Sequence, residues 1–464
     1  MKGTEALLKT MIAHGVTSTF GYPGGKVIPL FDSFLSYEGK IRNILVRHEQ
    51  GAAHAADGYA RACGNPGVCI ATSGPGASNL ITGIMTAFMD SSPLIAMAGQ
   101  VGVSLIGKDA FQETDMMSMT LSITKYNFQP RDPDDIIPIF TRAYAISMAG
   151  RPGPVYIDLP VDVQTEPVKH LPAEKMHLTF GNLAKPIDMN QVKEAARLIM
   201  HAERPLFLVG GGTIQANASK ELKDLVNLVK APVASTLMGK GAYDEHGAFS
   251  IGMVGMHGKR IANYAILNCD LLIVIGCRLI DRVTGDVETF GTHCKIVHID
   301  IDPSEIGKNV MPDVQIVGDA REAIMLLISV LISYGQKHPG TEWMKRIREL
   351  KDLCVCSSDS TTSLIHPVQV MKALMSHLNP PDIVCTGVGQ HQMYCAHFLQ
   401  FKNPRTFISS GGAGTMGFGL PAAIGAKVAK PRSEVYDVDG DGSFQMTYQE
   451  LGTCTVEGIK INPI

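Results

Sequence analysis

Val438-Asp439-Gly440-Asp441-Gly442-Ser443-Phe444 closes an apolar run that begins at Val435, and it reads as a strand entering a glycine turn. That reading decides the fold class. Ligands of α/β sheets sit beyond the carboxyl ends of the strands, where such a turn would lie. The glycines let a ligand approach bare backbone, and Asp441 offers a hard oxygen for a divalent metal beside a diphosphate. Mg²⁺ takes octahedral coordination, so one carboxylate calls for a second protein ligand.

The same alternation of apolar runs and helical stretches continues along the chain and predicts layered α/β domains with parallel sheets. Ile41–Val46, Gly67–Thr72, Leu94–Ala98 and Pro154–Leu159 read as buried strands of a first domain, residues 1–165. Gln164–Lys185, rich in Pro, His and charge, reads as a linker. Residues 186–340 form a second block with strands at Leu206–Val209, Leu271–Ile275 and Lys295–Ile301, closed by a helix, Glu342–Cys354, and a polar run, Ser357–Ser363. A third block, residues 360–464, offers strands at Ile383–Thr386 and Val435–Val438. Two strands fall short of a doubly wound sheet, whose βαβ units need about 30 residues each. The expected fold is therefore three doubly wound parallel-sheet domains, the third incomplete.

Composition excludes several classes. With 464 residues, 45% hydrophobic and 18% charged, the chain is long enough for two or three cores. A net charge of −3 lacks the basic excess of nucleic-acid or membrane-surface binders. No apolar run is long enough to span a bilayer, and the opening residues read directly as an amphipathic helix, so no signal peptide is expected. Its ten cysteines contain no Cys-x-x-Cys pair, which disfavours a zinc ribbon or disulfide framework and predicts a reducing, cytoplasmic setting.

Several turns could carry chemistry, each with a plainer reading beside it. Glu49 lies just past a strand and opens a helix of small residues, Gly51 to Ala60. Pressed into protein by a neighbouring helix, its carboxyl would be raised and suited to proton exchange. The plainer reading is an acid favoured by the helix dipole. Ser73-Gly74-Pro75-Gly76-Ala77-Ser78-Asn79 could hold an anion or ring against backbone, or could simply turn a strand into a helix. Leu208-Val209-Gly210-Gly211-Gly212-Thr213 is not the Gly-x-Gly-x-x-Gly fingerprint. With Gly276-Cys277-Arg278, and with Asp300 and Asp319 after apolar runs, it suggests a nucleotide-like ligand or a plain doubly wound sheet. Gly387 to Gln392 and Gly411 to Gly417 could be packing turns, and Met416 a gap-filling core residue.

Eight segments together resemble the thiamine-diphosphate enzymes of the acetolactate (acetohydroxyacid) synthase group, large catalytic subunit. They are Gly21-Tyr22-Pro23-Gly24-Gly25, Arg47-His48-Glu49-Gln50-Gly51-Ala52, Thr72-Ser73-Gly74-Pro75-Gly76, Asp109-Ala110-Phe111-Gln112-Glu113, Gly255-Met256-His257-Gly258, Gly389-Gln390-His391-Gln392-Met393, Gly414-Thr415-Met416-Gly417 and Gly440-Asp441-Gly442-Ser443-Phe444. The resemblance runs from Lys2 to Asn462. It implies a pyrimidine-binding domain at 1–165, a central FAD-binding-like domain at 186–340 and a diphosphate-binding domain at 360–464. Glu49 would exchange a proton with the cofactor's aminopyrimidine, Met416 would bend the cofactor, and Asp441 would hold Mg²⁺ with Gly442 and Ser443 near the diphosphate. Gln390, His391 and Gly414 would line that end as well. Tyr22, Pro23, Gly24, Gly25, Thr72, Pro75, Asn79 and the catalytic Gln112 match positions around the pyrimidine and reacting carbon. Arg151, Gly210, Gly211, Gly212, Thr236, Leu237, Met238, Met256, His257, Gly258, Gly276, Arg278, Arg282, Val283, Asp300, Ile301, Asp319 and Ala320 match positions around a structural FAD.

The implied activity is decarboxylation of pyruvate and carboligation to a second 2-oxoacid. The products would be 2-acetolactate or 2-aceto-2-hydroxybutyrate, for valine, leucine and isoleucine biosynthesis. The resemblance also implies a homodimer or larger assembly with the site at the subunit interface, and a small regulatory subunit for feedback. The small-residue helix after Glu49 is compatible with packing across that interface. Neither nucleic acid nor membrane is expected as a partner. Val161, Cys277, Leu279 and Ile280 depart from the commoner family pattern. In the family, an Asn completes the metal site roughly 25–30 residues after Gly-Asp-Gly. That position and the covering tail fall beyond Ile464, so the resemblance implies a chain truncated at its C-terminus, with weak or no activity by itself. Two further readings are another thiamine-diphosphate decarboxylase or acyltransferase, such as an oxalyl-CoA decarboxylase or sulfoacetaldehyde acetyltransferase, and a non-catalytic remnant.

Overall fold

The computed structural model describes residues 1–170, 186–335, 340–353 and 364–464. Much of the expected linker, Cys354 and the polar run 357–363 lie outside those residues. The chain divides into two compact units. One joins Met1–Gly181 with Asp382–Gly389 and Ile408–Ile464, and the other joins Asn182–Pro381 with Gln390–Phe407.

Three sheets carry the fold, with parallel pairing at the core of each. The first has β1 (Ser18–Gly21), β2 (Arg42–Leu45), β3 (Gly67–Ala71), β4 (Leu94–Gln100), β5 (Tyr126–Phe128) and β6 (Pro154–Pro160), in the order β2-β1-β3-β4-β6-β5. β3, β4 and β6 are buried along their whole length, which is why they are apolar runs rather than alternating patterns. The second has β7 (Pro205–Val209), β8 (Val233–Ser235), β9 (Ser250–Met253), β10 (Leu271–Ile275), β11 (Lys295–Asp300) and β12 (Val314–Val317), in the order β12-β11-β10-β7-β8-β9. The third has β13 (Ile383–Thr386), β14 (Phe407–Ser409), β15 (Val435–Val438) and β16 (Asn462–Pro463), in the order β14-β13-β15-β16. The third block therefore has four strands, not two. Phe407–Ser409 and Asn462–Pro463 are too short to show a period. Gln164 and Thr165, assigned to the linker, end a short helix, Val161–Thr165.

Within the first unit, helix Glu49–Cys63 is the main packing element. His48 caps it, its Nδ1 accepting from Gln50 N at 3.1 Å, and Gly64 ends it with φ of 83°. Its small residues meet helix Gly419–Ala429 of the same chain. A Cβ at Gly58 would overlap the Ala422 carbonyl, and one at Gly425 would overlap that of Ala55. The Arg61 guanidinium is buried on this helix. It donates to Asp57 at 2.7 and 2.8 Å, to Asp90 at 2.9 Å and to the Ser409 carbonyl at 2.8 Å, and lies 4.9 Å from the Phe418 ring centre. Among the described residues, no helix is long and apolar enough to cross a membrane.

His54, one turn before Asp57, is fully buried with its ring edge-on to Phe418 at 5.4 Å. Burial, helped by the positive charge of Arg61, lowers its pKa to about 3. His54 is thus neutral in the folded chain, while the unfolded chain takes up a proton below about 6.5. Its stabilising contribution is present above that pH and is lost as the pH falls from about 6.5 towards 3. His54→Gln should remove this dependence. Denaturant titrations across the interval should show an acid limb shallower by about 1.4 kcal/mol per pH unit. An unchanged slope would assign the acid sensitivity to other groups.

Candidate active site

Each sheet has an internal point where strand order reverses, and glycine turns leave from it. In the first sheet the reversal lies between β1 and β3. The turns Gly21–Gly25 and Thr72–Gly76 emerge side by side there, with Tyr22 N donating to the Ile70 carbonyl at 3.2 Å. A Cβ at Gly24 would come within 2.6 Å of Thr72, so only a bare backbone fits. Lys26 N donates to Thr72 Oγ1 at 3.2 Å. Gly74 has φ of +62°, and a Cβ there would sit 3.0 Å from Gln112. Gln112 itself adopts φ of 63°, a strained conformation for a residue with a side chain. Glu49 is half-buried at its helix start. Asn79 Nδ2 donates to its Oε2 at 3.0 Å, and the Gly76 backbone packs against its other oxygen. Glu49, Thr72, Asn79 and Gln112 thus share one corner, with Tyr22, Pro23, Gly25 and Pro75 exposed along it. Ser73 Oγ is buried there without a protein partner.

One residue of this corner gave no sequence signal. Glu450, in the ordinary-looking Tyr448-Gln449-Glu450-Leu451, is buried against the start of the Glu49 helix. Its carboxylate accepts from Arg47 N with both oxygens at 3.1 Å, from His48 N at 3.0 Å and from Thr453 Oγ1 at 2.7 Å. Burial raises its pKa above the usual carboxylate range, against the pull of those hydrogen bonds.

In the third sheet the reversal lies between β13 and β15, where Gly387 and the Asp439–Ser443 turn emerge. Ser443 Oγ accepts from Gly417 N at 3.0 Å, and Thr447 Oγ1 donates to the Gly417 carbonyl at 3.0 Å. These bonds hold the Met416 loop over the turn. The Met416 side chain, 44% exposed, would be 3.2 Å from a Cβ at Gly442. Gly414 takes φ of +63° in the same loop. Asp90 Oδ2 and Oδ1 accept from Gly411 N at 3.1 Å and Gly412 N at 2.6 Å, and Thr415 and Thr86 join hydroxyls at 2.7 Å. Asp441 presents an exposed carboxylate between Gly440 and Gly442. Behind it, both oxygens of Asp437 are buried without protein partners, and burial beside Asp439 raises its pKa well above the usual range. Gln390 and His391 open helix Gln390–Phe398, which belongs to the second unit, whereas Glu49, Met416 and Asp441 belong to the first.

The second sheet has the order of a doubly wound dinucleotide-binding sheet, with its reversal between β7 and β10. Gly210, Gly211 and Gly212 leave β7 there against Gly276, which ends β10 with φ of +57°. Gly212 N donates to the Gly276 carbonyl at 3.0 Å, and a Cβ on Gly276 would lie 2.6 Å from Gly212 Cα. Thr236, Leu237 and Met238 follow β8, Arg278 follows β10, Asp300 ends β11 with Ile301 next, and Asp319 follows β12. The Asp319 carboxylate caps the next helix through Arg321 N and Glu322 N, with Ala320 as first helical residue. Asp300 Oδ1 accepts from Asp302 N at 2.9 Å. The Met256-His257-Gly258 loop lies against Arg282 and Val283, with Met256 N donating to the Arg282 carbonyl at 3.0 Å. Arg151 stands in the first unit, its Nε donating to Ser91 Oγ at 2.8 Å.

These features fit the groups that the sequence implied. The orphaned Ser73 hydroxyl and bare glycines suit a flat ring in the first sheet's corner. Asp441 on its glycine turn suits a cation and diphosphate, and the glycine crevice of the second sheet suits a dinucleotide.

Residues 1–119 match the N-terminal TPP binding domain of thiamine pyrophosphate enzymes, residues 192–327 the central domain and residues 387–464 the C-terminal TPP binding domain. The chain is 51% identical to a probable acetolactate synthase large subunit of Methanocaldococcus jannaschii over 99% of its own length and 79% of that protein. The chain belongs to the acetolactate synthase large-subunit family. The relatives include the acetolactate synthase large subunits of Parasynechococcus marenigrum, 45% identical over 100% of this chain and 76% of that protein, and of Corynebacterium glutamicum, 45% over 99% and 74%. The three family domains fall on the three sheets, each with its glycine turns at the reversal point.

Glu450→Ala should leave the Arg47 and His48 amides buried without an acceptor. Thermal unfolding should register a loss of about 1–3 kcal/mol. An unchanged midpoint would show that water replaces the carboxylate.

Proposed function

We infer that this chain is the catalytic subunit of an acetolactate synthase, decarboxylating pyruvate and joining the two-carbon fragment to a second 2-oxoacid in branched-chain amino-acid synthesis. Membership of the family and the corner at Glu49 carry this reading: a carboxylate oriented by Asn79 at 3.0 Å, beside a bare-backbone cradle. The products are 2-acetolactate and, from 2-oxobutyrate, 2-aceto-2-hydroxybutyrate, leading to valine, leucine and isoleucine.

Bound thiamine diphosphate supplies the electron sink that decarboxylation of a 2-oxoacid requires. The residues of the chain divide the remaining work. Glu49, held in line by Asn79, would hold or release a proton at its carboxylate beside the cofactor's ring. Tyr22, Pro23, Gly24, Gly25, Thr72 and Pro75 would line the ring, with Gln112 beside the reacting carbon. The Met416 side chain, half-exposed over the Gly442 turn, would pack against the cofactor. Asp441 would hold Mg²⁺, with Gly414, Gly442 and Ser443 near the diphosphate. In the central domain, the glycines at 210–212 and Gly276 would seat a structural FAD with the other matching residues of that domain.

The domain boundaries of this reading are 1–165, 186–340 and 360–464. Tyr22 and Phe111, 41% and 84% exposed beside the corner, support a second copy covering the site. A homodimer, with a separate regulatory subunit, completes the assembly. Buried Cys69, Cys269, Cys277 and Cys385 carry free thiols, in keeping with a cytoplasmic location.

Glu49→Gln, in the cofactor-loaded protein, should lower acetolactate formation from pyruvate by about 10²- to 10⁴-fold and slow hydrogen–deuterium exchange at thiamine C2, with an unchanged circular dichroism spectrum. Undiminished exchange would remove Glu49 from this role. Asp441→Ala should raise the Mg²⁺ concentration needed for half-maximal activity by tenfold or more (about 1.4 kcal/mol). An unshifted requirement would place the metal elsewhere.

A further inference from the structure

Cys269, His293 and Cys294 come together at the N-terminal edge of the second sheet, and the register of the sheet puts them there. β10 and β11 pair in parallel with Leu271 opposite Lys295. Lys295 N donates to the Asp270 carbonyl at 2.9 Å, carrying the pairing one step before β10. Continued backwards, that register sets Cys269 opposite His293 and Asp270 opposite Cys294. One ligand atom from each of Cys269, His293 and Cys294 lies within 4.8 Å of the other two. Cys269 is buried at the end of helix Arg260–Asn268, Cys294 is half-buried and His293 is exposed. The Ile266 carbonyl accepts from Cys269 Sγ at 3.2 Å and lies 2.9 Å from His293 Nε2, which fixes both side chains from one point.

We propose that these three residues form a site for a soft divalent cation of the zinc class. Two sulfurs and an imidazole select such an ion over Mg²⁺ or Ca²⁺, which prefer oxygen. With metal–sulfur bonds of about 2.3 Å and metal–nitrogen bonds of about 2.0–2.1 Å, tetrahedral ligands sit roughly 3.5–3.8 Å apart. The three side chains therefore close inward by about an ångström or less. The nearest carboxylates are engaged elsewhere. Asp270 accepts from Glu203 N at 2.7 Å and Arg204 N at 2.8 Å, and Asp313 pairs with Lys295 at 2.6 Å and accepts from Ile296 N at 2.9 Å. Water takes the fourth position. Binding forms two metal–sulfur bonds and one metal–nitrogen bond, releases the two thiol protons to solvent and changes no oxidation state. The site sits at the opposite edge of the sheet from the glycine crevice. Its metal pins the end of helix Arg260–Asn268 to the start of β11, independently of the catalytic reading.

The test uses the full chain, purified under reductant, stripped with a chelator and reloaded with Zn²⁺ or Co²⁺. Mass spectrometry should find one tightly held metal per chain, and Co²⁺ should produce thiolate-to-metal charge-transfer absorption. Cys294→Ser should lose both. His293→Ala, at an exposed position where refolding is not at issue, should weaken binding by tenfold or more. Zn²⁺ should raise the thermal midpoint of the parent chain and not that of Cys294→Ser. Metal-free protein after reloading, retention of metal and absorption in both variants, or a Cys269–Cys294 disulfide in place of metal uptake would each overturn the proposal.

Discussion

The first unit depends on a buried charge that must be paired. Arg61 is removed from water on the helix that begins at Glu49, and isolated burial of a guanidinium is prohibitive. Asp57 and Asp90 neutralise it, and the Ser409 carbonyl takes a further donor. Asp90 uses its remaining capacity on the amides of Gly411 and Gly412, which lead into the Met416 loop. One guanidinium thus ties three segments together: the helix that carries Glu49, the end of helix Ile81–Met89 and the loop that carries Met416. Close contact of small residues between the Glu49 and Gly419 helices makes this geometry possible, since larger side chains would hold the helices apart.

The three sheets solve one problem in one way. Where strand order reverses, the turns on either side diverge and leave a crevice at the carboxyl ends. Glycine lets each crevice expose backbone: Gly24 and Gly74 in the first sheet, Gly212 and Gly276 in the second, Gly387 and Gly442 in the third. The chemistry differs only in the side chain set beside the glycines. The first sheet sets Glu49, held by Asn79, beside its glycines and the third sets the exposed Asp441 carboxylate, while the second sheet leaves bare backbone.

Much of this was legible because glycine and acid turns after apolar strands are local signals. Gly440–Gly442, Gly210–Gly212 and Thr72–Gly76 are contiguous in the chain, and their strands are buried enough to read as apolar runs. Other features were not legible. β14 and β16 have three and two residues, too short for any period. Asp319 reads as a ligand residue by position, yet its carboxylate caps a helix. The small-residue face after Glu49 announced a close helix neighbour but not which one, and it is Gly419–Ala429 of the same chain.

The sequence by itself determined the α/β class, the three sheets and the family, because these follow from runs of neighbouring residues. Only the tertiary structure decided which distant groups meet. Glu450 sits under the Arg47 and His48 amides some four hundred residues away in sequence, and no local pattern marks it. Cys269 meets His293 and Cys294 because β10 and β11 pair in one register, and a shift by one residue would separate them. Glu49 acquires Asn79 as a partner because β1 pairs on one side with β2, which leads to Glu49, and on the other with β3, which leads to Asn79. Local spacing specifies elements and turns; long-range pairing specifies partners, and the chemistry of the corner at Glu49 depends on the partners.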